Sequence, residues 1–270
     1  MIKLENYVVE QNHFPDGTLL LKEKVWYDIQ QNGARIKWLF ESNEELLTLI
    51  FLTKHLRAHG VKNVSLYMPY VPNGRMDRVK NRDDVFTLKY FAEIINSLNF
   101  DYVKVLDPHS YVSEALIDNI CVEKADTYID KTLIDLIKMH GGKIRLTYFY
   151  PDEGAMKRYS SASDAPYVFG IKKRNWETGK IEGLDVAGCV DKIKDSNILI
   201  VDDICSRGGT FYHSAKKLKE LGANKIYLYV THCENTILEG DLLTSGLIEK
   251  VYTTNSIFTK EHEKIEVFEL

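Results

Sequence analysis

Apolar positions along the chain follow two periods in turn, one near 2 and one near 3.6. Residues 63–71 and 102–106 read as strands, while 84–98 carries helical spacing through Leu88, Phe91, Ile95 and Leu98. Ser42-Asn43-Glu44-Glu45 has the form of a capping box, opening a helix through Leu46, Leu49, Ile50 and Leu56 that Gly60 closes. A second cycle has a helix at 129–139, a strand at 144–150 and a continuous apolar run at 198–201. It continues with a helix ending at Leu221-Gly222 and strands at 225–230, 251–254 and 265–268. Such alternation predicts an α/β fold, with mostly parallel sheets flanked by helices and ligands at the carboxyl ends of the strands. The two cycles meet near 121–126, so domains 1–125 and 126–270 are expected.

Composition narrows the function classes. A chain of 270 residues that is 44% hydrophobic and 27% charged reads as soluble and globular. A net charge of −4 without a basic block argues against a nucleic-acid partner. Charges interrupt the first fourteen residues before any apolar core of signal-peptide length, and no segment approaches membrane-spanning length. Cys121, Cys189, Cys205 and Cys233 show no CxxC spacing, so neither a zinc site nor a disulfide framework is indicated. A cytoplasmic location is expected.

Chemistry concentrates in residues 197–211, NILIVDDICSRGGTF. A buried apolar strand stops at Asp202 and Asp203, and a small glycine-containing loop leads into a helix. Backbone amides of such a turn, aimed by a helix N-terminus, make an anion cradle. The two carboxylates can hold sugar hydroxyls or a metal. Together they suit a phosphorylated sugar, although the same residues also serve as an ordinary helix cap. Three more polar clusters follow strands: Arg75-Met76-Asp77-Arg78, Asp107-Pro108-His109, and the run from Asp152 to Arg158. His55 and His59 have metal-pair spacing but no third ligand, and read as surface residues in a helix's last turn.

The 197–211 segment resembles the phosphoribosyl diphosphate (PRPP) motif of type I phosphoribosyltransferases and of PRPP synthetases, and alone it does not choose between them. The collinear set is more specific. Phe14-Pro15-Asp16-Gly17, Asn43-Glu44-Glu45-Leu46, Pro69-Tyr70, the Arg75 and Asp107 clusters, Pro151-Asp152-Glu153-Gly154 with Lys157-Arg158, Lys172-Lys173-Arg174, the Asp202 loop and Thr231-His232 occur in order. Over nearly its whole length the chain is similar to ribose-phosphate diphosphokinases (PRPP synthetases).

That resemblance implies two phosphoribosyltransferase-like domains, an ATP co-substrate, Mg²⁺ and a homo-oligomer whose ATP site lies near a subunit interface. It implies that Phe14, Asp16, Arg75, Met76, Asp77 and His109 bind ATP, with Phe14 and Asp16 reaching a neighbouring subunit's adenine. His109, Asp152, Asp202 and Asp203 would serve metal. Asp202, Asp203, Cys205, Ser206, Arg207, Gly208, Gly209 and Thr210 would bind the ribose phosphate. Lys172 and Arg174, with His109, would be catalytic, the first two on a mobile flap. Phosphoryl transfer asks for positioned cations rather than a nucleophilic side chain, which this set provides.

Departures from the family pattern point to the substrate. Thr18 stands where an acid is usual, Met76 where a Gln is usual, and Ala155 replaces a glycine. Within the phosphate loop, Ser206 takes the place of a third Asp and Arg207 that of a Thr. Arg207 adds a forked cation, either as an extra clamp on ribose 5-phosphate or as a contact for a second phosphate in an acceptor such as ADP-ribose. A phosphoribosyltransferase and a non-catalytic regulatory homologue are the alternatives.

Overall fold

The computed structural model describes residues 1–23, 29, 33–163, 165–174 and 181–270, with the backbone alone at 162, 172–174, 181, 182 and 184. The chain divides into two compact units, Met1–Lys124 and Ala125–Leu270.

The first unit contains β1 (Ile2–Leu4), β2 (Tyr7–Val8), β3 (Glu10–His13), β4 (Leu19–Lys22), β5 (Ala34–Trp38), α1 (Glu44–Ala58), β6 (Val64–Tyr67), α2 (Thr87–Ser97), β7 (Val103–Leu106), α3 (Tyr111–Leu116) and β8 (Ile120–Glu123). Its main sheet runs β2-β1-β5-β6-β7-β8, and β3 and β4 form a separate hairpin. Strands β5 to β8 are parallel, each joined to the next through a connection long enough to cross over the sheet. Leu49, Leu52 and Leu56 of α1 and Leu88, Phe91 and Ile95 of α2 are buried in one core with Ile36, Leu66 and Val105 of the strands.

The capping box forms only in part. Helix α1 starts at Glu44 with Asn43 as its N-cap and no side-chain cap bond. Glu45 turns inward instead, accepting the Glu41 N–H at 2.8 Å and the indole N–H of fully buried Trp38 at 2.9 Å. Gly60 ends the helix in the left-handed region, at φ 87°.

The second unit contains α4 (Asp126–Met139), β9 (Leu146–Tyr150), α5 (Glu153–Tyr159), β10 (Tyr167–Arg174), β11 (Ile181–Gly188), β12 (Asn197–Cys205), α6 (Gly209–Glu220), β13 (Ile226–Cys233), β14 (Lys250–Thr254) and β15 (Ile265–Phe268). Its sheet runs β11-β10-β9-β12-β13-β14-β15, parallel except for the β10–β11 pair. One face packs Phe149, Ile198, Ile200, Leu228 and Val251 beneath Phe211, Ala215 and Leu218 of α6. Alternate positions, among them Tyr148, Tyr150, Tyr227 and Tyr252, are buried as well. Strands covered on both faces read as continuous apolar runs, which is why 198–201 shows no alternation.

The apolar run marks less than half of β12. The strand continues through both aspartates to Cys205, because β13 keeps pairing with it: Asp202 lies opposite Val230, Ile204 opposite His232, and Cys205 opposite Cys233. Among the described residues, no helix is long and apolar enough to cross a membrane.

Candidate functional site

In the first unit, neighbouring strands β6 and β7 carry the two polar turns at their carboxyl ends. Asn73, at φ 63°, bends the first turn, and its carbonyl accepts the Met76 N–H at 2.9 Å. A Cβ on Gly74 would lie 3.8 Å from the Cβ of His109, so the Arg75 turn rests directly on the His109 turn. Asp77 accepts Arg78 Nε at 2.9 Å. Burial would raise its carboxyl, but hydrogen bonds from Arg78 and Ser110 and the nearby His109 outweigh burial and hold it low. Arg75 is exposed, while Met76, Asp77 and His109 are half-buried. Ser110 caps α3 by accepting the Val112 N–H at 3.0 Å.

Phe14 and Asp16 sit in the β3–β4 turn. The Phe14 ring is 49% exposed, as a side chain offered to a ligand or partner would be. Asp16 accepts the backbone N–H of Thr18 at 3.0 Å and its hydroxyl at 2.7 Å, and these bonds, in that order, lower its carboxyl. Thr18, the residue that departs from the family pattern, thus fixes the acid two positions before it.

In the second unit, Asp152 caps α5, its Oδ1 accepting the Ala155 N–H at 3.1 Å. Asp202 is half-buried and Asp203 is 7% exposed. The Asp203 N–H donates to Asp202 Oδ1 at 3.0 Å. Burial first, then the charge of Asp203 and more weakly that of Asp152, push the Asp202 carboxyl well above the ordinary range. Hard oxygen donors that repel one another suit a small divalent cation, so Asp202 and Asp203 fit Mg²⁺. Among the described residues, however, no group of three or more His, Cys, Asp or Glu side chains gathers around one point. Any cation there would complete its shell with substrate oxygens and water.

Cys205 and Arg207, both expected at the loop, differ in their surroundings. Cys205 is not a loop residue but the last residue of β12, fully buried, with its thiol toward the Ser206 carbonyl at 3.3 Å. Arg207 is the second loop residue after the strand. Its side chain is 71% exposed, with Nη2 paired to Glu239 at 2.9 Å. Gly208 adopts φ 80°, and a Cβ there would meet the Leu242 side chain at 2.8 Å, so glycine is required. Helix α6 begins at Gly209, leaving the first amides, including those of Gly209 and Thr210, without helical acceptors.

Sequence reasoning missed what faces this loop. The Ser206 hydroxyl donates to Glu234 Oε2 at 2.7 Å, and Thr236 Oγ1 donates to the same oxygen at 3.1 Å. Glu234, Thr236 and Glu239 lie at and just beyond the end of β13, in the run CENTILEG. The only signal was a cluster of polar residues after a strand end.

Lys172 and Arg174 fall on the antiparallel β10–β11 hairpin, where Lys172 pairs with Leu184 and Arg174 with Ile181. Their side chains lie outside the described residues. His55 and His59 are both exposed, with ring centroids 4.2 Å apart.

A family model described as the phosphoribosyl synthetase-associated domain matches residues 118–269. The chain belongs to that family. A ribose-phosphate pyrophosphokinase of Hyphomonas neptunium is 26% identical over 230 residues, spanning 83% of this chain and 70% of the relative. One from Mycoplasma genitalium is 27% identical over 272 residues, spanning 96% of this chain and 78% of the relative. The fold of this phosphoribosyl synthetase-associated chain matches the crystal structure of phosphoribosylpyrophosphate synthetase from Mycobacterium smegmatis. The TM-score is 0.77 at 19% identity, over 97% of this chain and 86% of the other.

Proposed function

We propose that the protein is an ATP-dependent diphosphokinase acting on the anomeric hydroxyl of a 5-phosphorylated ribose. The relatives are ribose-phosphate pyrophosphokinases, which makes it an enzyme of that transferase type, with PRPP and AMP as products from ribose 5-phosphate. The observation that carries this reading is the packing of the Arg75 turn onto the His109 turn. A phosphoribosyltransferase has no need of an arginine turn beside a histidine turn, whereas an enzyme that binds a triphosphate does.

In the reaction, the anomeric hydroxyl loses its proton to water and its oxygen forms a bond to the β-phosphorus of ATP, while the bond from that phosphorus to the α,β-bridging oxygen breaks and AMP leaves with that oxygen. Magnesium, when bound, supplies charge neutralisation for the phosphates. Asp202 and Asp203 would hold the ribose hydroxyls and that cation, and the amides of 206–210 would hold the 5-phosphate. Arg75 and His109 position the ATP phosphates, with Met76 and Asp77 shaping the turn that carries Arg75. Asp152, whose charge acts on Asp202, would serve a metal held there, and His109 would serve metal in the first unit. Lys172 and Arg174 bring positive charge to the transferring group in the transition state. Phe14 and Asp16 serve the ATP of a neighbouring copy, so the working enzyme is an oligomer.

A second reading concerns the acceptor. The guanidinium of Arg207 is exposed and pairs with Glu239 at 2.9 Å, and a forked cation of that kind suits a second phosphate. An acceptor such as ADP-ribose would use it and give its 1-diphosphate. The test is a screen with ATP and magnesium against ribose 5-phosphate, ADP-ribose, and a nucleobase with PRPP. AMP release with either ribose acceptor supports the diphosphokinase, and the better acceptor decides between the two readings. Nucleotide formation from PRPP and base without AMP release overturns it.

A further inference from the structure

Glycine takes positive and negative φ with nearly equal ease, so Gly208 does not by itself stay in the left-handed region at φ 80°. An anion loop depends on that value. A left-handed residue turns successive N–H groups toward one point, and the helix start at Gly209 adds amides that lack helical acceptors. A contact from outside the loop is needed to keep the turn in this form before a ligand arrives.

Leu242 makes that contact. Among the described residues, chain neighbours aside, the three atoms nearest to the place of a Gly208 Cβ all belong to Leu242. Its Cδ2, Cβ and Cγ lie 2.8, 2.9 and 3.4 Å from it. Leu242 is fully buried, in one core with Phe211 and Ala215 of α6 and with Ile237 and Leu243 of its own segment. Its carbonyl accepts the Ser245 hydroxyl at 2.8 Å, and the Asp241 carbonyl accepts the Ser245 N–H at 2.9 Å, closing a turn behind it. Two residues earlier, Gly240 approaches the Arg207 carbonyl, so one segment meets two successive loop residues.

We propose that Leu242 is a positioning residue for the acceptor. Its side chain fills the space beside the Gly208 α-carbon, holds that glycine left-handed, and so keeps the amides of 208–210 aimed at the acceptor's phosphoryl group. This deepens the proposed function and rests on 206–210 being the acceptor loop. A turn already in place binds more tightly than one the ligand must order. Being apolar and fully buried, Leu242 acts through Gly208 and not on the ligand itself.

The experiment measures dissociation constants by calorimetry for ribose 5-phosphate and for ATP with magnesium, in wild type, Leu242→Ala and Leu242→Met. Leu242→Ala removes the packing atoms beyond Cβ and should weaken ribose 5-phosphate about tenfold, as the loss of one charge-assisted hydrogen bond would. ATP, assigned to the turns of the first unit, should change by less than about twofold. Leu242→Met keeps the volume and should bring ribose 5-phosphate binding back to within about threefold of wild type. Thermal melting checks folding, and Leu242→Val replaces an Ala variant that does not fold, with a smaller loss in the same order. Unchanged ribose 5-phosphate binding in the truncated variant, equal weakening of both ligands, a Met variant as weak as the Ala variant, or no ribose 5-phosphate binding by wild type would overturn the proposal. AMP release assayed alongside separates the two claims: the expected split without AMP release fails the proposed function, not the role of Leu242.

Discussion

The carbonyl oxygen of Arg207 lies 1.9 Å from where a Cβ on Gly240 would stand. A backbone atom cannot swing aside as a flexible side chain does, so this close approach sets the segment after β13 against the 206–210 loop. Gly240→Ala should lower stability by about 1–3 kcal/mol through overpacking and weaken acceptor binding by displacing Ser206 and Arg207. Thermal melts and acceptor KM check both effects, and an unchanged KM would show that the segment and the loop are independent.

The β10–β11 hairpin gives a second expectation. Lys172→Ala or Arg174→Ala should lower kcat by orders of magnitude with little change in nucleotide affinity, because a cation that acts in the transition state contributes little to ground-state binding. Steady-state kinetics beside nucleotide titrations would read the split. Wild-type turnover in either variant removes that residue from the catalytic set.

Stability in acid should depend on Asp135. It accepts Tyr252 OH at 2.7 Å and Lys250 Nζ at 3.0 Å. Burial pushes its carboxyl up, and these donors more than reverse that, leaving it below the ordinary value. A lowered carboxyl stabilises the fold while ionised: the contribution is whole above the unfolded-state value of about 3.9 and is lost as pH falls through the lower folded-state value. Asp135→Asn should therefore be less stable than the parent at neutral pH, with the two curves converging in acid. The carboxylate is 37% exposed, so screening keeps the neutral-pH difference at or below about 1 kcal/mol. Urea melts across pH would show it, and parallel curves would contradict it.

Glu45→Ala should be costlier. It strips the indole N–H of Trp38 of its acceptor in a fully buried place, a loss of about 1–3 kcal/mol. A denaturation midpoint equal to that of wild type would refute this account of the helix start.

These residues also show what the sequence could and could not reveal. The α/β alternation was legible because strands buried on both faces leave unbroken apolar runs, as at 198–201, and α2 keeps its helical period. Strand ends were not legible where polar residues continue a ladder: Asp202 and Asp203 look like a stop, yet β12 pairs on to Cys205. Glu45 read as a cap because capping boxes and buried acceptors share a spacing. The candidate site was legible only where it lies contiguous in the chain. Glu234 sits 28 residues from Ser206, and no local pattern couples two positions just past the ends of neighbouring strands.

Phosphorus NMR of purified protein with ATP, magnesium and each ribose acceptor tests the central claim most directly. Diphosphate transfer predicts AMP in amounts equal to a new diphosphate ester at the anomeric carbon, with no ADP formed. ADP as the nucleotide product, or intact ATP with every acceptor, would contradict it.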